Sequence, residues 1–498
     1  MTVELIGHDY RYAAEQMLLT LFPHERPTYE SREENRVSLS LCRGAVWVTA
    51  TAVLHYQGRI SRHACRARVS QLTGGLEDDR VCQRILKLAF YRAGVEVLGR
   101  EPAWGALTGV RPVKLPTRAM AAGATPQQAK RALQKTYRVS PARAQLAVDC
   151  ALASLEAARG LSPHDIALYV GIPFCPTRCA YCSFISADVG RALRLVEPYV
   201  DALTKEIRAA GAALKRQGLT LSSIYFGGGT PTTLSAQQLE RLLAAVEEYL
   251  CPAPGVEYTV EAGRPDTISR EKLEVLAAHG VNRLSVNPQS MEEEVLRAIG
   301  RAHTAEDIRR SYDLVRQVGK FAVNMDLIAG LPADTPDGFR RSLDAVAALG
   351  PENITVHTLA RKRGSSLTTG DERPSPTGEQ VAEMLDYAWF TLRVLGYAPY
   401  YLYRQKFMSG SFENVGWCKP GTQSLYNICM MEELQSVLSL GAGGVTKLVD
   451  RDTGHIQRMA NPKFPQEYLD RINRICQEKE DLSCPISCRK SMSGSKAT

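Results

Sequence analysis

The sequence LYVGIPFCPTRCAYCSF, residues 168–184, decides the fold, because it joins an apolar strand to a loop that holds three cysteines. The spacing Cys-x3-Cys-x2-Cys at Cys175, Cys179 and Cys182 lets three thiolates bind three irons of a cubane cluster, and no fourth cysteine lies close by. A zinc site would need a fourth ligand to complete a tetrahedron, and the nearest histidine, His164, precedes the strand. We therefore predict a [4Fe–4S] cluster with one iron open to a ligand. A chance group of core thiols is the alternative.

Downstream of Ile166, short apolar strands alternate with amphipathic helices. Two helix starts are marked, one by Ser235 and one by Thr304 with Asp307 three residues later. The alternation predicts a parallel sheet with helical crossovers, and its six repeats are fewer than the eight of a closed barrel. The fold class is therefore α/β, a partial (βα)6 barrel with an N-terminal accessory α/β region and a C-terminal α/β extension. The predicted strands are 167–172, 222–226, 257–262, 283–287, 322–328 and 353–359.

The chain divides into three predicted regions. Residues 1–160 form an accessory region, in which the runs VSLSL and AVWVTATAVLHY indicate strands and the stretch 126–157 indicates helices broken near Ser140. Residues 161–375 form the partial barrel. Residues 376–498 form a region that covers the substrate and ends in a mobile tail.

Glycines and polar residues follow the predicted strands at their carboxyl ends, where the loops of parallel-strand folds converge. Glycines let a ligand approach the backbone closely, and carboxylates accept hydrogen bonds from hydroxyl or ammonium groups. Taken singly, each carboxylate also fits an ordinary strand-end cap, and Arg301 also fits a surface cation, but their convergence at one edge of the sheet favours a functional site. The candidates are Gly228, Gly229 and Thr230 after the second strand, Glu261 ending the third, Gln289 after the fourth and Asp326 late in the fifth.

These motifs resemble those of the radical S-adenosylmethionine (SAM) superfamily, whose signature is Cys-x3-Cys-x2-Cys after the first strand. The order and spacing of LYVGIPFCPTRCAYCSF, YFGGGTPT, RLSVNPQS, IGRAHT and NMDLIAGLP are similar to those of oxygen-independent coproporphyrinogen III oxidases, especially the longer bacterial branch called coproporphyrinogen dehydrogenase. The resemblance covers about residues 165–450. It implies a radical SAM barrel in which the open iron of the cluster chelates the methionine part of SAM. An electron from the cluster then breaks the bond between the sulfur and C5′ of SAM.

The resemblance also implies a role for individual residues. Cys175, Cys179 and Cys182 become the cluster ligands at the catalytic centre, and Tyr181 packs on the adenine of SAM. Arg301 pairs with the methionine carboxylate, as its charge allows. The full set of positions that contact SAM beside Tyr181 is Gly228, Gly229, Thr230, Glu261, Gln289, Arg301 and Asp326.

The implied function is the oxidative decarboxylation of coproporphyrinogen III to protoporphyrinogen IX in haem biosynthesis, with a low-potential electron donor. However, Phe184 stands where such oxidases usually have a further cysteine, and related haem chaperones have phenylalanine there. A haem-binding trafficking protein and another tetrapyrrole-modifying radical SAM enzyme therefore remain alternatives. Candidate residues for the substrate wall are Tyr400, Tyr401, Tyr403 and Arg404, which also fit a packed strand.

The net charge of +8 is concentrated in one segment. The stretch Arg100–Arg143 has nine basic residues and one acid. Such a segment suits a polyanion, but no aromatic residues are interleaved, so the sequence does not predict nucleic acid binding. A solvated helical face is the simpler interpretation.

The other cysteines indicate a reducing compartment. The chain has 13 cysteines without the features of a small secreted protein, no secretory signal and no long apolar run, which predicts a cytoplasmic protein that does not span a membrane. Cys476, Cys484 and Cys488 fit no closed metal site and are expected to be exposed thiols. The remaining cysteines are predicted to be buried free thiols: Cys42, Cys65, Cys82, Cys150, Cys251, Cys418 and Cys429.

Overall fold

The structure is a computed structural model of the chain that describes residues 1–30, 33–182, 187–360, 365, 367, 374–405 and 411–485. Contacts divide the chain into two compact units. The first contains Met1–Ala151, Thr377–Ala382 and Tyr403–Glu413, and the second contains Leu152–Pro376, Glu383–Leu402 and Asn414–Thr498. The division into 1–160, 161–375 and 376–498 stays a prediction.

A four-stranded sheet organises the first unit. Its strands alternate buried apolar residues with partly exposed ones, and α1 and α2 pack on the apolar face. Both strand runs expected from the sequence are confirmed, and so is the helix break near Ser140. The elements are β1 (Thr2–Ile6), α1 (Arg11–Leu21), β2 (Arg36–Arg43), β3 (Trp47–Tyr56), β4 (Arg59–Arg68), α2 (Leu76–Leu98), α3 (Lys114–Ala121), α4 (Pro126–Tyr137) and α5 (Pro141–Arg159).

The second unit alternates strands and helices as the sequence predicts. Ser235 caps α7, and Thr304 with Asp307 forms a capping box on α10. The elements are β5 (Asp165–Ile172), β6 (Phe174–Cys175), β7 (Ala187–Asp188), α6 (Val189–Gln217), β8 (Thr220–Gly228), α7 (Ala236–Leu250), β9 (Glu257–Glu261), α8 (Arg270–Ala278), β10 (Arg283–Ser285), α9 (Glu293–Ala298), α10 (Ala305–Val318), β11 (Ala322–Ala329), α11 (Pro336–Leu349) and β12 (Asn353–Thr358).

The six predicted strands form one parallel sheet in the order β5-β8-β9-β10-β11-β12, which confirms the α/β fold class. Strand β14 extends this sheet antiparallel to β12, and β15 extends it parallel to β5. The later elements are α12 (Gly378–Val394), β13 (Ala398–Arg404), β14 (Glu413–Cys418), α13 (Leu425–Glu432), β15 (Val437–Leu440), β16 (Val445–Val449), β17 (Ile456–Ala460), α14 (Pro465–Asp470) and α15 (Ile472–Glu480).

Two sequence-based expectations about thiols are wrong. Cys484 is buried, at 8% exposure, rather than exposed. Its backbone N–H donates to Gln217, and its thiol lies 3.2 Å from the Ser436 hydroxyl. Conversely, Cys42 and Cys251 are exposed rather than buried. Cys488 lies outside the described residues.

Two of the three tyrosines considered for a substrate wall, Tyr400 and Tyr401, are core residues, whereas Tyr403 is half-buried. Tyr400 and Tyr401 on β13 are 2% and 6% exposed, and the Tyr401 hydroxyl lies 3.4 Å from that of Thr355. Arg404 is also buried and donates to the carbonyl oxygens of Leu107 and Ser411. The packed-strand alternative is therefore the correct one for Tyr400, Tyr401 and Arg404.

Within the described ranges, no helix combines the length and the apolar character needed to cross a membrane.

Candidate functional site

The cysteine loop begins where β5 ends. Phe174 is fully buried and meets the ring of Tyr199 edge-on at 5.3 Å, which anchors the start of the loop. Further along, the N–H of Ala180 donates to the Ile299 carbonyl oxygen at 3.0 Å, and Cys182 N–H donates to the Cys179 carbonyl oxygen at 3.1 Å. The loop is therefore tied both to its own sheet and to the segment after α9.

Two buried arginines accompany the three cysteines, and together these five residues are called the cysteine side. Arg264 is 3% exposed, and its Nη1 lies 3.8 Å from the Sγ of Cys179. Arg301 is 7% exposed. Among the described residues, no three His, Cys, Asp or Glu side chains converge as a metal-binding group.

Arg301 connects the cysteine loop to the strand ends. It donates to the carbonyl oxygens of Gly263 (3.1 Å) and Asn287 (2.9 Å) and to the hydroxyl of Tyr181 (3.0 Å). Its Nε is buried and has no hydrogen-bond partner among the described residues. The structure thus brings Tyr181 and Arg301 together and leaves the Nε of Arg301 as an unused donor within the described part of the chain.

His303 is a polar residue at this site that the sequence analysis missed. It is 5% exposed, and neither ring nitrogen has a hydrogen-bond partner in the described part of the chain. Burial, together with the positive charges of Arg301 and Arg264, lowers the pKa of His303 to about 4. Its ring is therefore neutral at physiological pH. Its place in IGRAHT, two residues after Arg301, was the available signal.

The glycine segment after β8 lies directly against the cysteine loop. Gly229 N–H donates to the Ile172 carbonyl oxygen (2.8 Å), and Thr230 N–H donates to that of Phe174 (2.7 Å). A Cβ on Gly229 would lie 2.4 Å from the Phe174 carbonyl oxygen, so only glycine fits there. Gly228 has φ of +110°, which also favours glycine. In addition, the Thr230 hydroxyl lies 3.6 Å from the Sγ of Cys175.

Glu261 ends β9, and Asp326 lies in β11, the next strand but one in the sheet. These two carboxylates and their hydrogen-bond donors are called the carboxylate side. The Tyr225 hydroxyl donates to Glu261 at 2.5 Å. Burial raises the pKa of Glu261 to about 7 and the charge of Asp326 adds to this rise, while hydrogen bonds from Tyr225 and Gly228 oppose it. Glu261 therefore titrates close to neutral pH.

Asp326 behaves in the opposite way. Burial works against its ionisation, but His357 at 3.7 Å and the amide of Asn324 at 2.7 Å hold its pKa below the ordinary value. Two carboxyl groups of one site thus differ in charge near neutral pH, with Asp326 ionised and Glu261 close to its midpoint.

Gln289 follows β10, the strand between β9 and β11, and has a strained backbone conformation. Its φ is +68°, a backbone angle that residues other than glycine rarely adopt. Its N–H donates to the Asp326 carbonyl oxygen (2.8 Å) and its carbonyl accepts from Ile328 N–H (3.0 Å). An outlier of this kind is typical of functional sites.

Three stacked tyrosines back the carboxylate side, and the sequence analysis missed them too. The rings of Tyr169 and Tyr225 lie 6.4 Å apart, and those of Tyr225 and Tyr426 lie 4.4 Å apart. Tyr169 and Tyr225 face each other in the β5–β8 register. A tyrosine at the same place in two neighbouring apolar strands was the signal, whereas Tyr426 lies too far along the chain to be associated with them.

The donor groups of this site fit a [4Fe–4S] cluster and SAM. Three thiols share one loop next to two guanidinium groups, which offset the negative charge of a thiolate-bound cluster. The glycine segment after β8 lets a ligand approach the backbone closely. The carboxylates of Glu261 and Asp326 suit ammonium and hydroxyl groups of that ligand, and the unused Nε donor of Arg301 suits a carboxylate. Whether these residues are the actual ligands stays a prediction. Phe184 lies outside the described residues.

Comparison with known proteins defines the class first. Residues 169–346 match the model of the radical SAM superfamily. The cofactors of this superfamily, and of this chain, are a [4Fe–4S] cluster and SAM.

Similarity to individual proteins then defines the family. The chain is 42% identical over 383 residues to the oxygen-independent coproporphyrinogen-III oxidase-like protein HemZ of Bacillus subtilis, covering 76% of each. It is 30% identical to the heme chaperone HemW of the same organism, covering 66% of this chain and 84% of that protein. The structure of coproporphyrinogen III oxidase (HemN) from Escherichia coli matches with a TM-score of 0.51 and 26% identity, over 64% of this chain and 72% of that one. The chain belongs to the oxygen-independent coproporphyrinogen III oxidase-like family of radical SAM proteins.

Proposed function

We propose that the chain is a radical SAM oxidoreductase that converts coproporphyrinogen III to protoporphyrinogen IX without oxygen. The observation that carries the proposal is the direct contact between the glycine segment and the cysteine loop at Gly229 and Phe174. This contact brings groups suited to an iron–sulfur cluster next to groups suited to SAM. Such proximity is what electron transfer into a bound ligand requires.

In this proposal Cys175, Cys179 and Cys182 hold three irons of the cluster. When bound, the cluster supplies the electron that splits SAM into methionine and a 5′-deoxyadenosyl radical. Arg264 donates to the thiolate of Cys179 and keeps the loop in place through a second bond to the Thr177 hydroxyl (2.9 Å). The contact with Cys179 is buried, and that with Thr177 is partly buried.

The remaining residues bind and orient SAM. Arg301 pairs with the carboxylate of the methionine part, and its hydrogen bond to Tyr181 positions that ring for the adenine. Asp326 is ionised and accepts hydrogen bonds from an ammonium or hydroxyl group. Glu261 can accept one bond as a carboxylate or donate one as an acid, because its pKa of about 7 leaves both forms populated.

For each of two propionate groups, a hydrogen atom would pass from the β-carbon to the 5′-deoxyadenosyl radical, which becomes 5′-deoxyadenosine. The carboxylate would then leave as carbon dioxide and one electron would pass to a one-electron acceptor, so that a vinyl group remains. The assignment of substrate rests on similarity to a coproporphyrinogen III oxidase-like relative and to an oxidase structure. The low-potential electron donor and the electron acceptor are part of the proposal.

A second candidate, haem binding and delivery, is favoured by two observations. The similarity to a heme chaperone covers 84% of that protein, and Phe184 replaces the further cysteine of the oxidases. In that case the same site would regulate delivery of haem to a partner.

One assay separates the two candidates. The chain is reconstituted anaerobically with iron and sulfide and mixed with coproporphyrinogen III, SAM, a strong reductant and a one-electron acceptor. The oxidase proposal predicts carbon dioxide and a vinyl-bearing porphyrinogen from the wild type and none from Cys179→Ala. Stoichiometric haem binding without any product, in a chain with a full cluster, would favour the chaperone.

A further inference from the structure

One segment of the first unit is rich in arginine and contains no acid. From Arg36 to Arg68 the sequence holds six arginines and no lysine, aspartate or glutamate, whereas the whole chain has 61 basic and 53 acidic residues. This segment comprises β2, β3 and β4. Solvated surfaces usually mix both signs of charge, so the imbalance calls for a specific explanation.

The sheet divides these arginines between its two faces. Arg43 and Arg59 lie on the face that α2 covers, where Arg43 lies 3.9 Å from the thiol of Cys82 and Arg59 donates to the Val97 carbonyl oxygen at 3.0 Å. The other four side chains alternate with the buried residues and are exposed on the opposite face: Arg36, Arg62, Arg66 and Arg68.

An exposed tryptophan lies at one end of this face, beside Arg68. Trp47 on β3 is 39% exposed and faces Arg68 directly in the register of β3 and β4. The guanidinium of Arg68 lies 5.5 Å from the centroid of its ring. Of the residues that the structure describes, none forms an ion pair with Arg62 or Arg66, so their charges are available to a partner.

We propose that this open arginine face, formed by Arg36, Trp47, Arg62, Arg66 and Arg68, binds single-stranded nucleic acid. Guanidinium groups bind phosphates with two parallel hydrogen bonds, and guanidinium and indole planes stack on bases. From Arg62 to Arg68 the strand spans about 20 Å at about 3.3 Å per residue, which accommodates several nucleotides. An exposed sheet face with these two features is a known way to bind unpaired bases.

Two simpler roles do not explain the whole face. Charged residues protect an edge strand such as β4 from pairing with other chains, but Arg36 and Trp47 lie on β2 and β3, away from that edge. An acidic protein would use the charges and would not need the exposed indole. The basic stretch Arg100–Arg143, for which the sequence predicts no nucleic acid binding, is a different part of the chain.

Fluorescence anisotropy of the full chain with a labelled single-stranded RNA of about 15 nucleotides, and with DNA of the same length, tests this proposal. We expect binding whose affinity falls as salt rises. Arg62→Gln with Arg66→Gln should weaken binding and reduce the slope of log K against log salt by about 1.4, because each phosphate contact contributes about 0.7. Trp47→Ala should weaken binding about tenfold and leave that slope unchanged.

The matched control is Arg80→Gln with Arg92→Gln, which removes the same charge from exposed positions on α2, on the other side of the same unit. It should bind like the wild type. Absence of binding at low salt, or an equal loss in the control, would overturn the proposal. Unchanged affinity in Trp47→Ala beside a loss in the Arg62/Arg66 variant would also overturn it and indicate a charge-only surface of the kind that an acidic protein uses. Displacement of the RNA by coproporphyrin at equimolar concentration would assign the face to porphyrin carboxylates instead.

Discussion

The cysteine side and the carboxylate side of the site are built in different ways. On the cysteine side, two buried arginines come from later loops, and Arg264 contacts the Cys179 thiol across 85 residues of sequence. On the carboxylate side, Glu261 ends β9 and Asp326 lies in β11, with β10 between these two strands, and their donors come from the same sheet. The first side is suited to an anionic cluster, and the second to a ligand with a positive charge and hydroxyl groups. One site therefore combines two opposite electrostatic environments.

The largest expected effect comes from replacing one cysteine of the cysteine side. Cys179→Ala should lose the cluster, because two thiolates cannot hold a cubane against solvent. Iron analysis and the visible absorption of the reconstituted protein measure the loss. Cys484→Ala removes a buried thiol elsewhere in the same unit and should keep its iron. A Cys179→Ala protein with about four irons per chain would show that the ligand assignment is wrong.

The next effect concerns the contact between the two sides. Gly229→Ala places a Cβ 2.4 Å from the Phe174 carbonyl oxygen, so the cysteine loop must shift. We expect iron content to fall well below that of the wild type, while circular dichroism stays the same. Gly160→Ala serves as the control, since its Cβ would meet only ordinary contacts at 3.6 Å. Full cluster loading in Gly229→Ala would mean that the two sides are assembled independently.

A third change affects the carboxylate side alone. The pKa of Glu261 is about 7 in the folded chain and near 4.5 when unfolded, so the folded state binds the extra proton between these values. Stability contributed by the protonated form is therefore lost as pH rises through 7. Glu261→Gln should then stabilise the cluster-free chain at pH 8 by roughly 1–3 kcal/mol, and much less at pH 5. Thermal unfolding at the two pH values measures this difference. An equal change in Tm at both would show that Glu261 ionises normally.

The smallest expected effect is a shift in the midpoint potential of the cluster, with the cluster still bound to the cysteine side. Arg264→Gln should keep the iron but make the cluster harder to reduce, because a hydrogen bond from a cation to a cluster sulfur stabilises the reduced form. We expect the midpoint potential to become more negative by about 60 mV, the equivalent of a tenfold change in a one-electron equilibrium. Arg264→Lys, which keeps the charge, should shift it less. A potential that is the same in all three proteins would exclude this role.

The sequence predicted the features that depend on local patterns. Strand alternation gave the six parallel strands, and the capping residues Ser235 and Thr304 gave two helix starts. The cysteine motif and the strand-end carboxylates were also recognisable, because their spacing follows from the strand–loop–helix repeat. These are contacts within one or two neighbouring elements.

What the sequence did not predict depends on distant contacts. Nothing in the stretch around Arg264 indicates that its side chain contacts Cys179, and the place of His303 in IGRAHT does not show that its ring is buried. The burial of Cys484 arises in the same way, because the segment after α15 bonds to Gln217 at the end of α6. Tertiary packing also buries Lys479 on α15, whose ammonium donates to the Ser439 carbonyl oxygen at 2.8 Å.

The central claim is that the two sides together form one site for the cluster and SAM. Electron paramagnetic resonance of the reduced cluster, recorded with and without SAM, tests it most directly in the wild type and in Asp326→Asn. We predict that SAM changes the spectrum of the wild type, and that Asp326→Asn, with the same iron content, needs at least tenfold more SAM for the same change. A wild-type spectrum that SAM leaves unaltered, in a chain with a full cluster, would contradict the claim.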